Sequence, residues 1–140
     1  MSTRMLLALF SVSALFSQMS SAVLPPLSEK ARFESASDIV TGYVTSVKKV
    51  VHKKGIDYSD TLYTAEIIVS EIVKGENVFG RGTLKFHFWK QLDRPRGWGG
   101  DGGQAGVIKH YQIIKVYLKY DERKNTFDLL GPNGFDLLQR

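Results

Sequence analysis

Apolar and polar residues alternate along much of the chain after residue 37, and this two-residue period predicts β-strands. The segment "GTLKFHFWK" (residues 82–90) shows it most clearly, with Leu84, Phe86 and Phe88 separated by polar or amphipathic residues. Such alternation is typical of a strand that buries one face. We therefore expect these three residues to point into a core.

A second alternating segment covers residues 108–120. The expected inward residues are Ile114, Val116 and Leu118, with His110 in the same parity, and the expected outward residues are Lys115, Tyr117 and Lys119. We interpret the whole segment as a strand, because its apolar positions recur every second residue.

Two earlier segments, "DIVTGYVTSVKKVV" (residues 38–51) and "TLYTAEIIVSEIV" (residues 61–73), are rich in residues that favour strands. Residues 65–73 would also suit an amphipathic helix, but their β-branched side chains favour a strand. A last short strand is predicted at "NTFDLL" (residues 125–130), and "GPNGF" (residues 131–135) is interpreted as a turn followed by a short tail.

These strands predict an all-β fold: a small five-stranded Greek-key barrel with a long loop between strands 3 and 4. A flat sandwich would need about seven strands. Gly42, in the middle of the first strand, would permit the sharp bend that a small barrel requires. The expected core consists of Val40, Val44, Ile67, Val69, Leu84, Phe86, Phe88, Ile114, Val116 and Leu118.

The first 22 residues have the three parts of a secretory signal peptide: a short cationic start with Arg4, an apolar run over residues 5–16 and a small-residue exit ending at Ala22. The apolar run is shorter than the ~20 residues that span a bilayer. We expect cleavage before Val23 and a secreted product, extracellular or periplasmic, that is not an integral membrane protein.

Removal of 22 of the 140 residues would leave 118, enough for one domain. We divide this product into an extended lead-in or short helix over residues 23–37 and the barrel domain over residues 38–140. The whole chain has a formal net charge of +5, which falls to +4 when the leader and its Arg4 are removed. A solvated surface with a modest excess of lysine accounts for this charge.

The stretch "ASDIVTGYVTSV" (residues 36–47), followed by "YTAEIIVSEIVKG" (residues 63–75) and a glycine-rich loop, resembles secreted domains of the tissue-inhibitor-of-metalloproteinases/netrin-like type. The resemblance covers about residues 36–130 and implies an OB fold. It concerns strand and turn features, so it implies a fold more than a function.

The chain departs from that family at the residues that would carry inhibition. Inhibitors of that family bind the protease zinc through a cysteine at the mature N-terminus, within a framework of disulfides. Here the expected first residue is Val23 and the chain contains no cysteine. That inhibitory mechanism therefore transfers to no residue of this chain.

The loop at residues 91–106 is the most unusual segment, since "RPRGWGGDGGQAG" (residues 94–106) holds six glycines, two arginines and a tryptophan. Long loops in small domains tend to be functional or disordered, and Trp and Arg are frequent at binding hot spots. Either the loop recognises a partner, or its tryptophan only caps the barrel. Under the first interpretation the ligand-binding residues are Trp89, Arg94, Arg96, Trp98 and Gln104.

Known catalytic patterns do not fit this loop or the rest of the chain. Gly97, Gly99 and Gly102 have the dinucleotide-binding spacing, but a strand rather than a helix is predicted after them. The chain has no nucleophile elbow of the Gly-x-Ser-x-Gly type, and its three histidines lack metal-ligand spacing. We therefore predict no catalytic residue, no metal site and no cofactor.

The leading functional hypothesis is a secreted, non-enzymatic module that binds a protein or a glycan through loop 91–106 and the adjacent aromatic face. Nucleic acid is disfavoured as a partner because the export signal directs the protein out of the cell. Two alternatives stay open. One is an exported enzyme or enzyme-inhibitor domain whose site is not recognisable in the sequence, and the other is a structural envelope or matrix protein.

Overall fold

The structure, a computed structural model, describes residues 24–139. The elements are α1 (Glu29–Ser35), β1 (Asp38–Gly55), β2 (Tyr58–Lys74), β3 (Thr83–Asp93), β4 (Ile113–Asp121), β5 (Thr126–Leu129) and β6 (Phe135–Gln139). The predicted signal peptide and its cleavage site before Val23 lie outside the described residues. None of the helices within residues 24–139 is long and apolar enough to cross a membrane.

Five strands form a ring in the order β1-β2-β3-β5-β4, and β4 pairs with β1 to complete it. The ring is antiparallel except between β3 and β5, which run parallel and share the single pair His87 and Asp128. The predicted all-β, barrel-like architecture is confirmed. The barrel is not fully closed, because β3 and β5 make so little contact.

The interior of the ring is filled by aliphatic and phenylalanine side chains from all five strands. Nine of the ten predicted core residues are buried, and Val69 is partly buried and packs against them. Val78 and Ile108, which lie in loops, also contribute to this core. The inward parity of β3 and β4 is therefore confirmed for the residues that the alternation placed inside.

Gly42 lies where β1 passes very close to β2. A Cβ atom added to it would stand 2.5 Å from the carbonyl oxygen of Ile68, nearer than any real side chain approaches. The register of the β1–β2 pairing also shifts between Thr41 and Gly42. The glycine permits both the close approach and the bend of a strand that pairs with β2 and β4.

Tyr117, predicted to face outward, is buried with an exposed fraction of 1%. The outer face of β4 is covered by α1, where Arg32 places its guanidinium 4.4 Å from the Tyr117 ring centre. Arg32 also donates to Asp136 at 2.8 Å. Burial opposes the charge of Arg32, but the hydrogen bond and the charge of Asp136 outweigh it and raise its pKa.

The N-terminal lead-in is attached to the C-terminal part of the chain. The Asn133 side chain accepts a hydrogen bond from the Leu27 amide at 2.8 Å and donates one to the Leu27 carbonyl at 2.9 Å. Ser28 caps α1 by accepting from the Ala31 amide. Together with the ion pair of Arg32 and Asp136, these bonds fix the helix against the sheet.

Two predictions near the C-terminus are wrong. Residues 135–139 form the strand β6 rather than a tail, and they pair with the half of β4 that β5 leaves free. Residues 108–112 precede β4, so His110 is exposed and not inward; its Nε2 lies 3.2 Å from the Val47 backbone. Alternation continued through this segment in the sequence, but the backbone turns at Tyr111, which has a φ of 68°.

Candidate ligand-binding groove

A groove of about 770 Å³ lies beside β3, near the place where the ring is incompletely closed. Three strands, the β3–β4 loop and the β5 region contribute to it. Its lining residues are Lys48, Val50, Leu62, Tyr63, Thr64, His87, Phe88, Trp89, Asp101, Gly103, Gln104, Asp128, Leu129 and Gly131. A volume of this size is typical of a site for a small ligand or a short segment of a larger one.

One wall of the groove is an apolar row across β1, β2 and β3. Val50 is paired with Leu62, which is in turn paired with Trp89 on β3. Val50 and Leu62 are 65% and 43% exposed, and Trp89 is half-buried. Apolar side chains left this exposed on neighbouring strands form a surface that burial by a partner would stabilise.

A pair of stacked aromatic rings also borders the groove. Tyr63 and Phe88 are cross-strand partners, and their ring planes are 3° apart with centroids at 4.7 Å. Stacked aromatic pairs contribute stability beyond the area they bury. Phe88 belongs to the core and Tyr63 packs against it, so the pair joins β2 to β3 on the face of the sheet opposite Leu62 and Trp89.

Polar groups lie among the apolar ones. The Thr64 hydroxyl is 3.0 Å from Nδ1 of His87 on the neighbouring strand. Asp101 accepts a hydrogen bond from the Gly103 amide at 2.8 Å, which shapes the turn that forms the loop wall. Lys48 and Asp128 add one charge of each sign. A ligand in this groove would therefore meet apolar surface together with a few oriented polar atoms.

The second half of the glycine-rich loop packs beside β3 and fills part of the gap in the ring. The Gln104 amide donates to the Trp89 carbonyl at 2.8 Å, and the Gln91 amide donates to the Gly102 carbonyl at 2.9 Å. Lys90 and Gly103 form an isolated β-bridge. These contacts make residues 102–104 a short extra strand segment beside β3.

Gln104 joins this segment to the turn between β5 and β6. Its side-chain nitrogen donates to the Leu130 carbonyl at 2.7 Å, and its side-chain oxygen accepts from the Gly134 amide at 3.2 Å. Gln104 is only 3% exposed. It lines the groove, but both ends of its amide bind the protein itself.

The first half of the loop folds over the turn end of the β1–β2 hairpin, around Arg94. The Arg94 guanidinium forms an ion pair with Asp60 and lies 4.0 Å from the ring centre of Tyr58. Trp98 packs edge-on against Tyr58, with ring centroids 5.3 Å apart. Both charged side chains of the ion pair are 5% exposed, so Arg94 anchors the loop.

The structure therefore separates the five predicted ligand-binding residues. Trp89 and Gln104 line the groove, whereas Arg94 and Trp98 pack together beside the hairpin and are not among its described lining. Arg96 is exposed and also lies outside that lining.

Sequence reasoning missed the groove residues Val50, Leu62 and His87. Their side chains meet only through the register of β1, β2 and β3, which alternation alone does not specify. One signal was available: Val50 and Leu62 are apolar residues next to a lysine-rich hairpin end, where solvated side chains are expected.

Within residues 24–139, no group of three or more histidine, aspartate and glutamate side chains is placed to hold a metal ion. No family model matches the chain, and no curated protein or solved structure matches it either. The netrin-like resemblance therefore stays a prediction.

Proposed function

We propose that this protein is an exported, non-enzymatic binding domain whose groove accepts an apolar segment of a partner protein. The observation that carries the proposal is the row of Val50, Leu62 and Trp89, which is continuous across three strands, with Val50 and Leu62 exposed and Trp89 half-buried. Behind this row, on the core side of the sheet, Tyr63 stacks on Phe88 and joins β2 to β3. A preformed surface loses little conformational entropy when a partner binds.

The composition of the lining favours a protein segment over a glycan. Sugar recognition needs many hydrogen-bonding groups for the ring hydroxyls, whereas most of the lining here is apolar. Of its polar side chains, Gln104 uses both amide atoms within the protein, and Asp101 accepts from Gly103. Aliphatic and aromatic side chains of a partner would displace water from Val50 and Leu62 at little polar cost.

Loop 91–106 has a supporting role in this proposal. Residues 102–104 form a wall of the groove through their pairing with β3, and Arg94 fixes the preceding part of the loop to the hairpin. The partner thus meets the face of β1, β2 and β3 and the inner side of the loop. Arg96 and Trp98 stand outside this contact.

The neutral fluorescent dye N-phenyl-1-naphthylamine tests the groove, because its emission rises when its rings leave water. We expect Leu62→Asp to weaken dye binding about tenfold, since a carboxylate would stand in the apolar row. Ile72→Asp is the matched control: it is on the same strand, 39% exposed and outside the described lining. Equal loss with both variants, or none with either, would contradict the proposal.

A photo-crosslinker placed at position 62 identifies the class of partner in the native host. We expect a protein adduct from position 62 that is absent when the same group replaces Ile72. Capture of a glycan instead would favour the alternative ligand class.

The enzyme alternative is tested at Thr64 and His87, which form a hydroxyl–imidazole pair in the groove. A hydroxyl within reach of an imidazole is the minimal arrangement for nucleophilic catalysis, but the imidazole also needs an orienting group. Turnover of an ester or peptide substrate that Thr64→Ala abolishes would establish that alternative.

A further inference from the structure

A second cleft, of about 370 Å³, continues from the groove along β3, and the two share His87 as a lining residue. It lies between β3 and the β4–β5 turn. Its lining residues are Glu66, Arg81, Thr83, Lys85, His87, Asn125, Thr126 and Phe127. Hydrogen-bond donors dominate this set, in contrast to the mainly apolar groove.

Arg81 is held in place at the edge of this cleft. Its Nε donates to the Asn77 carbonyl at 2.9 Å, and its Nη2 lies 3.4 Å from the side-chain oxygen of Asn125. The guanidinium also stands 5.2 Å from the ring centre of Phe127. These contacts use the N–H of Nε and one N–H of Nη2, which leaves the two N–H groups of Nη1 and the second N–H of Nη2 to donate to a ligand. A guanidinium fixed in this way needs little reorganisation to bind an oxyanion.

Asn125 contributes a second oriented donor. Its side-chain oxygen already accepts a hydrogen bond from the Tyr120 hydroxyl at 2.7 Å, in addition to the contact with Arg81. With the oxygen occupied, the amide presents its NH₂ group as the remaining polar function.

Lys85 adds a positive charge that is only weakly neutralised. Its ammonium lies 3.9 Å from the carboxylate of Glu66, and its side chain is 70% exposed. Exposed pairs at this distance contribute little stability, so Lys85 can exchange Glu66 for another anion. Among the described residues that line the cleft, Glu66 is the only carboxylate, whereas Arg81 and Lys85 are both cations. The cleft therefore carries a net positive charge.

We propose that this cleft binds the acidic group of the ligand whose apolar part occupies the groove. The inference rests on the proposed function and adds the chemical class: an apolar segment with a neighbouring carboxylate or other oxyanion. Trp89 and Lys85 are four residues apart on the same face of β3, which corresponds to about 13 Å. The acidic group should therefore lie within that distance of the apolar part.

Two dyes with the same ring system separate the two subsites. N-phenyl-1-naphthylamine is neutral, and 1-anilinonaphthalene-8-sulfonate carries a sulfonate on the same skeleton. We expect Lys85→Gln to weaken sulfonate-dye binding about threefold, the effect of losing one exposed charge contact, while neutral-dye binding stays constant. Adding Arg81→Gln should bring the loss to about tenfold.

The matched control is Lys109→Gln, an exposed lysine that lines neither the groove nor the cleft. This substitution should change the binding of neither dye. A rise in salt concentration from about 50 to about 500 mM should weaken the binding of the sulfonate dye only, because salt screens contacts between charges. Lys85→Gln alters an exposed side chain, so a thermal melt equal to wild type is expected and excludes unfolding as the cause.

Equal effects of Lys85→Gln on both dyes, or no effect on either, would overturn the assignment of the cleft. That result is distinguishable from failure of the groove itself. In the latter case Leu62→Asp would leave the neutral dye bound as in wild type, whatever happens to the sulfonate dye.

Discussion

Gly103 lies so close to the backbone of Trp89 that a Cβ atom added to it would stand 2.3 Å from the Trp89 carbonyl oxygen. Gly103 also has a φ of +75°, in the region that residues with side chains rarely adopt. Both features follow from the loop segment pairing directly with β3. The glycine is thus required where the loop closes the sheet.

Gly103→Ala should therefore lower the free energy of unfolding by at least about 2 kcal/mol, because it combines backbone strain with a steric clash. Gly99→Ala is the matched control, since no atom lies within 4 Å of its added Cβ and its φ is not positive. Urea denaturation measures both. Similar stabilities for the two variants would mean that residues 102–104 do not pair with β3 in solution.

The ion pair of Arg94 and Asp60 is buried, so removing one partner leaves an uncompensated charge. We expect Arg94→Ala to cost about 3–5 kcal/mol in urea denaturation. Lys54 is a second cation near Asp60, with its ammonium 3.6 Å from the carboxylate, but its side chain is 51% exposed. We therefore expect Lys54→Ala to lower the free energy of unfolding by less than about 1 kcal/mol. A small effect of Arg94→Ala would show that the pair is hydrated and the loop is open.

Trp98 packs against Tyr58 and Arg94 and lies outside the described groove lining. Trp98→Ala should lower stability by about 1–3 kcal/mol, through lost aromatic packing, with neutral-dye binding retained. Calorimetry measures the change in stability, and the dye titration measures the binding of the neutral dye. A variant with wild-type stability and no dye binding would restore Trp98 as a recognition residue.

Phe86 is fully buried in the ring, whereas Phe79 is 82% exposed in the β2–β3 connection. Phe86→Ala should cost about 3–5 kcal/mol, and Phe79→Ala less than about 0.5 kcal/mol. Chemical denaturation of the two variants compares the loss of stability from the same substitution inside and outside the core. A loss below about 1 kcal/mol at position 86 would be incompatible with the inward parity of β3.

The expected signal peptide is tested by intact-mass spectrometry of the exported protein. We expect a mature product that begins at Val23. A product that retains residues 5–16 would contradict cleavage and would indicate an N-terminal anchor instead.

The strand positions and the core were predictable because both depend on local alternation. Phe86 and Ile114 are inward by parity alone, and the structure places them there. Tyr117 obeys the same parity and faces away from the ring, but it is buried because α1 covers that face. Which outer face a distant helix covers is not encoded in the period of the strand itself.

The groove was only partly predictable for a similar reason. Trp89 is predicted from the sequence as a ligand-binding residue, and it lines the groove. Leu62 and His87 join it only because β2 and β3 pair in one particular register. Arg94 is predicted as a ligand-binding residue because arginine is common at interfaces. Its ion pair with Asp60, 34 positions away in the chain, depends on the tertiary fold and is not visible in a local pattern.

The bonds between Leu27 and Asn133 join residues 106 positions apart, and those between Arg32 and Asp136 join residues 104 positions apart. Contacts between residues so far apart in the chain form late, since the ends of a long segment must meet before these contacts stabilise it. During synthesis α1 can meet these partners only after residue 136 has left the ribosome. Docking of α1 on the sheet is therefore a late event, which can follow formation of the ring of β1 to β5.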